Sequence, residues 1–369
     1  MALRTSKELT NETAHTIFKF RTGELKPIKT GIEHLDDCLL GGLLPGTTLG
    51  IIARSSHGKS FDAERIQDHI LQHDPDVVYI KANWELSVFK ILLRDISRKT
   101  KKSTKQILFD EVTDETNAEL KQVLDLHRTD NVFYQNEPVT PEVFATDIES
   151  IIERFPDSRI VVEVDNLENV LIAKGDQKSS MDSLLYQVNR LKNLHPFIAF
   201  IILNQMNQNY ILRMDDPKKQ RPLDSDVYGS DQLLKLCDVL YVKIIPWKLH
   251  IREKFMVFGR DFYPWLEDFK IYPNDKTASF DPFGTAYYFY LKLRAVEDEK
   301  NIKDVFAERM FKREDSNIPV EKPISMIEVR TPTFSTPVFN STEQPLPLAT
   351  LSEAFDVPKQ NIEPIIDPF

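Results

Sequence analysis

The sequence predicts an α/β fold in which helices flank the faces of a mostly parallel, twisted sheet. Between residues 29 and 312, short apolar runs of strand length alternate with stretches whose apolar residues recur at helical spacing. This alternation is typical of parallel sheets, because the helix that connects two parallel strands packs back onto a face of the sheet. Several apolar runs end directly in polar residues, as they do where parallel strands place functional groups at their carboxyl ends. We therefore expect one large domain with a ligand site along the carboxyl edge of its sheet.

Two shorter segments flank this domain. Residues 1–28 contain a short amphipathic helical pattern at 8–19, which is too small to form a domain. From residue 313 to 369 the chain is rich in proline, serine and threonine and lacks periodicity, which predicts a disordered tail. The tail ends in a tip of mixed acidic and apolar residues at 361–369. We therefore expect an N-terminal linker helix, one domain at 29–312 and a tail.

The composition is that of an ordinary globular protein, with 28% charged and 41% hydrophobic residues. No stretch approaches the ~20 apolar residues of a membrane span, and the N-terminus lacks the apolar core of a signal sequence. Only Cys38 and Cys237 are cysteines, and both lie in apolar segments, so we expect a reducing cytoplasm, that of a host if the protein is viral. The net charge of −10 argues against a surface coated in nucleic acid but allows a few basic contacts in a channel.

A phosphate-binding loop is predicted directly after the apolar run at residues 49–52. The loop ends in Gly-Lys-Ser at 58–60, where a helical pattern starts. Backbone N–H groups of such a loop and the positive end of the helix dipole bind polyphosphate. Lys59 would reach the β- and γ-phosphates of ATP, and the Ser60 hydroxyl would bind Mg²⁺. The expected ATP contacts are Ala53, Arg54, Ser55, Ser56, His57, Gly58, Lys59 and Ser60. Because Ala53 stands where the usual pattern has its first glycine, a helix start capped by Ser55 or Ser56 is the alternative.

Three later strands are expected to bring polar groups to the same edge. The run at 160–164 delivers Asp165, which would hold Mg²⁺ directly or through water. Glu163 interrupts that run, so either it pairs with a basic side chain or the strand is less buried than the apolar run indicates. The run at 77–80 leads to a turn with Glu85, and the run at 199–203 leads to Gln205. The alternatives are that Glu85 only caps a helix and that Gln205 is a satisfied strand-end amide.

Together these segments resemble the motor domain of DnaB-type replicative helicases, including the helicase half of phage fused primase–helicases. The resemblance runs from Thr30 to about Arg294 and rests on ordered matches at residues 30–36, 41–46, 53–60, 81–87, 159–168, 204–207 and 221–240. That family commonly reads Ala-Arg-Pro-Ser-Met-Gly-Lys-Thr at its phosphate loop. Ala53 therefore matches the family where it departs from the general rule, while Ser55 and His57 differ from it. Tyr228 replaces a family arginine, which puts that arginine's charge contact in doubt.

The resemblance implies a RecA-like P-loop NTPase core that uses ATP with Mg²⁺ and works as a hexamer. It also implies that Glu85 polarises the attacking water and that Gln205 senses the γ-phosphate. In the family a Lys-x-Arg pair on a late strand reaches the nucleotide of the neighbouring subunit, and Lys292 and Arg294 fit that pair. Both could instead be solvent-facing residues of an alternating strand.

Single-stranded DNA would be bound by two loops that follow the Asp165 and Gln205 strands, since in RecA-like rings these positions face the central channel. Binding there needs positive charge along the backbone. The candidates are Lys174 and Lys178 in the first loop and Arg213, Lys218, Lys219 and Arg221 in the second, with Asn209 and Tyr210 beside them. The alternative is that both loops are solvated surface.

The expected function is that of an ATP-driven replicative helicase that translocates on single-stranded DNA. Priming and loading would come from other proteins, and such a compact motor would suit a bacteriophage. The tip at 361–369 resembles the acidic-hydrophobic tip of bacterial single-stranded DNA-binding proteins, and it could recruit a primase or loader or be an ordinary tail end. The alternatives for the whole chain are a RecA- or KaiC-like recombination or signalling ATPase, and an accessory DNA-binding protein that binds ATP without turnover.

Overall fold

A computed structural model describes most of the chain up to residue 249 and five later strands. The described ranges are 5–109, 113–172, 175–195, 197–214, 219–229, 231–249, 255–257, 260–262, 271–272, 285–293 and 305–309. The predicted tail at 313–369, with its tip, lies outside the described residues.

The described elements alternate between strands and helices, as the sequence predicts. The strands are β1 (Thr48–Ala53), β2 (Val78–Asn83), β3 (Val132–Gln135), β4 (Ile160–Asp165), β5 (Ile198–Gln205), β6 (Val239–Ile244), β7 (Phe255–Val257), β8 (Arg260–Phe262), β9 (Ile271–Tyr272), β10 (Thr285–Leu293) and β11 (Val305–Arg309). The helices are α1 (Ser6–Thr22), α2 (Glu33–Cys38), α3 (Lys59–His73), α4 (Val88–Thr100), α5 (Thr104–Phe109), α6 (Asp114–His127), α7 (Pro141–Arg154), α8 (Gln177–Leu194) and α9 (Asp231–Leu236).

Among the described strands, nine form one sheet in the order β3-β2-β4-β5-β1-β6-β10-β11-β9. The first six run parallel to one another, which confirms the predicted parallel sheet. β10 pairs with β6 in the antiparallel direction, and β11 with β10. The carboxyl ends of β2, β4, β5 and β1 therefore meet at one edge, where the sequence places the candidate site.

Helices cover both faces of the sheet, and each face has its own apolar cluster. On one face, Phe144 of α7 and Leu184 of α8 pack with Ile80 and Val162. On the other, Ile66 of α3 packs with Tyr79 and other strand residues. Burial on both faces explains why these strands read as continuous apolar runs. Outside this core lies α1, the predicted N-terminal helix, in which no residue is buried.

Glu163 is fully buried and is paired with a basic side chain, which was one of the two alternatives that the sequence left open. Lys81 Nζ lies 3.2 Å from Glu163 Oε1, and the Tyr79 hydroxyl donates to Glu163 Oε2 at 2.6 Å. Burial alone would lower the pKa of Lys81, but the neighbouring carboxylate of Glu163 outweighs it and raises that pKa. The buried strand and the charged residue within it are thus compatible.

Two further sequence expectations bear on the whole fold. Cys38 and Cys237 are both buried, and neither forms a disulfide with another described residue. Among the residues that the structure describes, no helix is long and apolar enough to cross a membrane.

Candidate nucleotide-binding site

The predicted phosphate loop joins β1 to α3 at residues 54–58. Gly58 precedes α3 with a φ of 83°, a left-handed conformation that favours glycine. A Cβ at this position would also lie 3.3 Å from Lys243 Nζ, which is a tight contact. Ala53 is the last residue of β1 and is not among the described residues with positive φ, so nothing in its conformation requires glycine. This geometry explains how the loop can depart from the usual pattern at Ala53.

Lys59 and Ser60 form the first turn of α3 and converge on Asp165 at the end of β4. Lys59 Nζ lies 3.3 Å from Asp165 Oδ1, and the Ser60 hydroxyl donates to Asp165 Oδ2 at 3.0 Å. Asp165 is almost fully buried. Two segments more than a hundred residues apart therefore meet in one polar cluster, as the sequence predicts.

The chemistry of this cluster fits Mg²⁺. Ser60 and Asp165 supply a hydroxyl and a carboxylate, which are the hard oxygen ligands that Mg²⁺ prefers. Within the described part of the chain, no group donates a hydrogen bond to Asp165 Oδ1. Lys59 Nζ lies 3.3 Å from that oxygen, whose lone pairs remain able to bind a metal ion.

Glu85 brings a second carboxylate close to Lys59. Its Oε2 is 3.5 Å from Lys59 Nζ, and its side chain is 47% exposed. α4 begins at Val88 with Ser87 in the N-cap position, so Glu85 is not the cap residue of that helix. Both carboxylates therefore lie within 3.5 Å of the amine of Lys59, to which the sequence assigns the β- and γ-phosphates.

Gln205 ends β5 directly beside the start of the phosphate loop. The register of the sheet pairs Ala53 with Gln205, and the Gln205 backbone carbonyl accepts from Tyr228 N at 3.0 Å. Tyr228 is the residue that replaces a family arginine. Its backbone contact with β5 is independent of side-chain type, so this part of the arrangement tolerates the replacement.

His57 has a role in the loop that the sequence did not reveal. Its side chain is buried, and its Nδ1 accepts a hydrogen bond from the backbone N–H of Ile245 at 3.1 Å. Lys248 Nζ donates to the Ser56 carbonyl beside it. The phosphate loop is therefore tied at two points to the segment that follows β6. Burial lowers the pKa of His57 from 6.5 to about 4, with Lys248 and Arg54 adding to the effect, so the ring is neutral at physiological pH.

Replacing His57 with methionine is expected to change how the stability of the protein depends on pH. A histidine whose pKa falls on folding binds fewer protons in the native state, so stability is lost as pH drops from about 6.5 to about 4. Protonation of His57 in the unfolded state should lower the free energy of unfolding of the wild type by about 3 kcal/mol between these two pH values. The variant lacks the penalty, although it loses the acceptor for Ile245 N–H and should be about 1–3 kcal/mol less stable at neutral pH.

Denaturant unfolding of both proteins at pH 7 and pH 4 measures this difference. The difference in free energy of unfolding between wild type and His57→Met should become smaller or change sign at pH 4. Other titrating groups, including buried His34, are common to both proteins and cancel. An unchanged gap would show that His57 is not held neutral.

The basic residues predicted to contact DNA differ in their surroundings. Lys178 lies exposed near the start of α8, and Lys219 is exposed in the second loop. Arg213 forms an ion pair with buried Asp226, inside the loop. Arg221 is partly buried, and Lys174 and Lys218 lie outside the described residues. In this structure Arg213 therefore stabilises the second loop through its ion pair with Asp226.

Tyr210 lies in the core and not beside the DNA path, so the expectation for this residue is wrong. Its ring is fully buried, and its hydroxyl donates to the Gln220 carbonyl at 2.7 Å. The buried ring fixes the start of the second loop to the core, and the hydrogen bond from its hydroxyl fixes the loop again at Gln220. A buried ring cannot stack on a DNA base.

The late strand of the proposed Lys-x-Arg pair is observed as β10. Lys292 Nζ donates to the backbone carbonyls of Leu234 and Lys235, the last at 3.0 Å, at the carboxyl end of α9. Arg294 lies outside the described residues. Within the one chain described here, Lys292 thus stabilises a helix end, where a cation is favoured by the helix dipole.

Comparisons with known proteins agree with this geometry. The family model of the DnaB-like helicase C terminal domain matches residues 27–245, more than half of the chain. A search of curated proteins finds no match. Among solved structures, one described as an ATPase domain has a TM-score of 0.61 and 15% identity over 79% of this chain and 92% of that chain. A DnaB-like replicative helicase, described with its interactions with primase, has a TM-score of 0.56 and 16% identity over 80% of this chain and 62% of that chain.

At these identities the structural neighbours show the fold, which confirms the predicted RecA-like core with its mostly parallel sheet. The family match spans the phosphate loop, Glu85, Asp165 and Gln205. The chain belongs to the DnaB-like helicase C-terminal domain family.

Proposed function

We propose that this protein is an ATP-dependent replicative DNA helicase that translocates on single-stranded DNA and unwinds duplex. The observation that carries the proposal is the convergence of Lys59, Ser60, Glu85 and Asp165 at a phosphate loop. These are the groups that phosphoryl transfer requires, namely a cation for the phosphates, ligands for Mg²⁺ and a carboxylate that orients water. Membership in a helicase family supports the same activity.

Each residue has a distinct task in the proposed hydrolysis. The loop N–H groups and Lys59 bind the polyphosphate, and Ser60 and Asp165 would hold Mg²⁺. When bound, Mg²⁺ neutralises charge on the β- and γ-phosphates. Glu85 orients the attacking water and accepts its proton, for which its partly exposed carboxylate next to Lys59 is suited. Gln205, beside Ala53 in the sheet, would detect the γ-phosphate through its amide.

The proposal extends to an assembly of several copies. Lys292 and Arg294 would complete the site of a neighbouring subunit in a hexameric ring, in which case Lys292 must leave the carbonyls at the end of α9. One of the similar solved structures is described with primase, and we propose a primase, loader or single-strand-binding protein as partner in the cytoplasm.

Strand displacement from a forked duplex tests the unwinding activity. A labelled fork with both a 5′ and a 3′ single-stranded tail avoids any assumption about polarity. The wild type should release the labelled strand with ATP and not with a non-hydrolysable analogue. ATP hydrolysis that responds to DNA without any strand release would favour the RecA- or KaiC-like alternative.

Alanine replacement of Lys218, Lys219 and Arg221 tests the second loop. If these cations contact phosphates, affinity for single-stranded DNA should fall, and the salt slope should flatten by about 0.7 per lost contact. Hydrolysis without DNA should persist, because the loop lies beyond the nucleotide cluster.

A control variant with three exposed lysines of another region changed to alanine, Lys101, Lys105 and Lys121, matches the change in charge. It should bind DNA nearly as the wild type does. Equal affinity and equal salt slope in both triple variants would identify the second loop as solvated surface.

A further inference from the structure

Asn83 joins the two carboxylates of the candidate site through a single side chain. It is the last residue of β2 and is paired in register with Asp165, the last residue of β4. Its side chain is buried. Neither the family resemblance nor the sequence pattern gives it a role, because a polar residue at a strand end is common.

Toward β4, Asn83 holds the side chain of Asp165. Its Nδ2 donates to Asp165 Oδ2 at 3.1 Å, the same oxygen that accepts from the Ser60 hydroxyl. Two donors on Oδ2 orient the carboxylate and leave Oδ1 toward Lys59. The backbone repeats the link, since Trp84 N donates to the Asp165 carbonyl at 2.8 Å.

Toward the following turn, Asn83 holds the backbone that carries Glu85. Its Oδ1 accepts from Glu85 N at 3.2 Å and from Leu86 N at 2.9 Å. This local arrangement is an asparagine turn, in which the side chain replaces a backbone carbonyl as acceptor. The direction in which the Glu85 side chain leaves the turn therefore depends on Asn83.

An amide is suited to this double task because it carries a donor and an acceptor on one planar group. An aspartate at this position would keep the acceptor but would place a second carboxylate oxygen against Asp165 Oδ2. An alanine would remove both contacts. Serine is shorter but can still accept from a nearby backbone N–H and donate.

We propose that Asn83 is a positioning residue that holds Glu85 and Asp165 at a constant separation beside Lys59. The inference rests on the proposed hydrolysis of ATP at this site. It adds that the water-orienting carboxylate and the Mg²⁺ ligand move as one unit, because one buried amide holds both. Catalysis is sensitive to such positioning, since a displacement of about 1 Å can cost about 10²-fold in rate.

Kinetics of Asn83→Ala test the proposal. The turnover number should fall by about tenfold to a hundredfold, while the dissociation constant of a fluorescent ATP analogue should stay within about threefold of wild type, because Lys59 and the phosphate loop are untouched. A purely structural residue would not separate the two quantities in this way. Asn83→Ser should recover a large part of the lost turnover.

Asn131→Ala is the matched control. Its side chain donates to the carbonyls of Pro75 and Val77 at 2.9 and 2.8 Å, just before β2 at the opposite end of the same strand. The Asn131→Ala change removes amide hydrogen bonds from the sheet and leaves the contacts of Glu85 and Asp165 intact. Its turnover number should be close to that of the wild type.

Asn83→Asp provides a second variant if the alanine protein does not fold. It keeps the size and the acceptor and should still lose at least about tenfold in turnover, since its oxygen faces Asp165. Wild-type turnover in a folded alanine or aspartate variant would overturn the inference, as would an equal loss in Asn131→Ala. Absence of hydrolysis in the wild type would instead refute the proposed function.

Discussion

Replacing Glu85 with glutamine is expected to stop ATP turnover while ATP still binds. The glutamine keeps the shape of the side chain but can neither accept the proton of the attacking water nor carry its negative charge. Loss of a general base typically costs about 10²- to 10⁴-fold in rate. Lys59→Ala should show the opposite pattern, with affinity for ATP reduced by about tenfold to a hundredfold, since a hydrogen bond to a charged group contributes about 1.5–3 kcal/mol.

Nucleotide titration and steady-state hydrolysis of the two variants measure these patterns. Glu142→Gln, an exposed glutamate in the first turn of α7, is the control and should behave as wild type. Near wild-type turnover in Glu85→Gln would reduce Glu85 to an ordinary turn residue and remove the carboxylate from the proposed chemistry.

Replacing Lys243 with methionine is expected to destabilise the fold by about 3–5 kcal/mol. Lys243 and Asp62 are both fully buried, and Lys243 Nζ lies 2.6 Å from Asp62 Oδ1. Burial raises the pKa of Asp62, and the charge of Lys243 opposes that rise. Removing the lysine leaves a buried carboxylate without its ion-pair partner, although the Tyr241 hydroxyl still donates to it at 3.0 Å.

The double variant Lys243→Met with Asp62→Leu tests whether the loss of stability comes from the unpaired charge of Asp62. Because replacing both charges of a buried pair by apolar groups is often neutral, the double variant should recover most of the lost stability in denaturant unfolding. A single variant as stable as wild type would mean that the pair is weakly coupled. Since Lys243 Nζ reaches the backbone of the phosphate loop at Gly58, where a Cβ would lie 3.3 Å from it, the single variant should also weaken nucleotide binding.

Much of the fold could be predicted from the sequence because its signals are local. Strands buried on both faces read as apolar runs, and the helices between them require a parallel sheet. The Gly-Lys-Ser of the phosphate loop and the polar residues that end β4 and β5 then follow from the rule that ligands bind at the carboxyl edge. Asp165 and Ser60 were predicted to share a site on this basis, and their side chains are in contact.

The remainder depended on contacts between segments far apart in sequence. His57 accepts from Ile245, and Asn83 donates to Asp165, so their roles need the register of the sheet and the path of the chain after β6. Arg213 and Tyr210 looked accessible because their loop is polar. In the folded loop, Arg213 pairs with Asp226 and Tyr210 is buried in the core.

The rate of ATP hydrolysis by the full chain, measured while single-stranded DNA is titrated, tests the central claim most directly. We expect measurable hydrolysis that requires Glu85. Its rate should rise with single-stranded DNA and saturate, and the increase should be lost when Lys218, Lys219 and Arg221 are replaced. Hydrolysis that is absent at every DNA concentration, or that is the same with and without single-stranded DNA, would contradict a motor driven along DNA by this site.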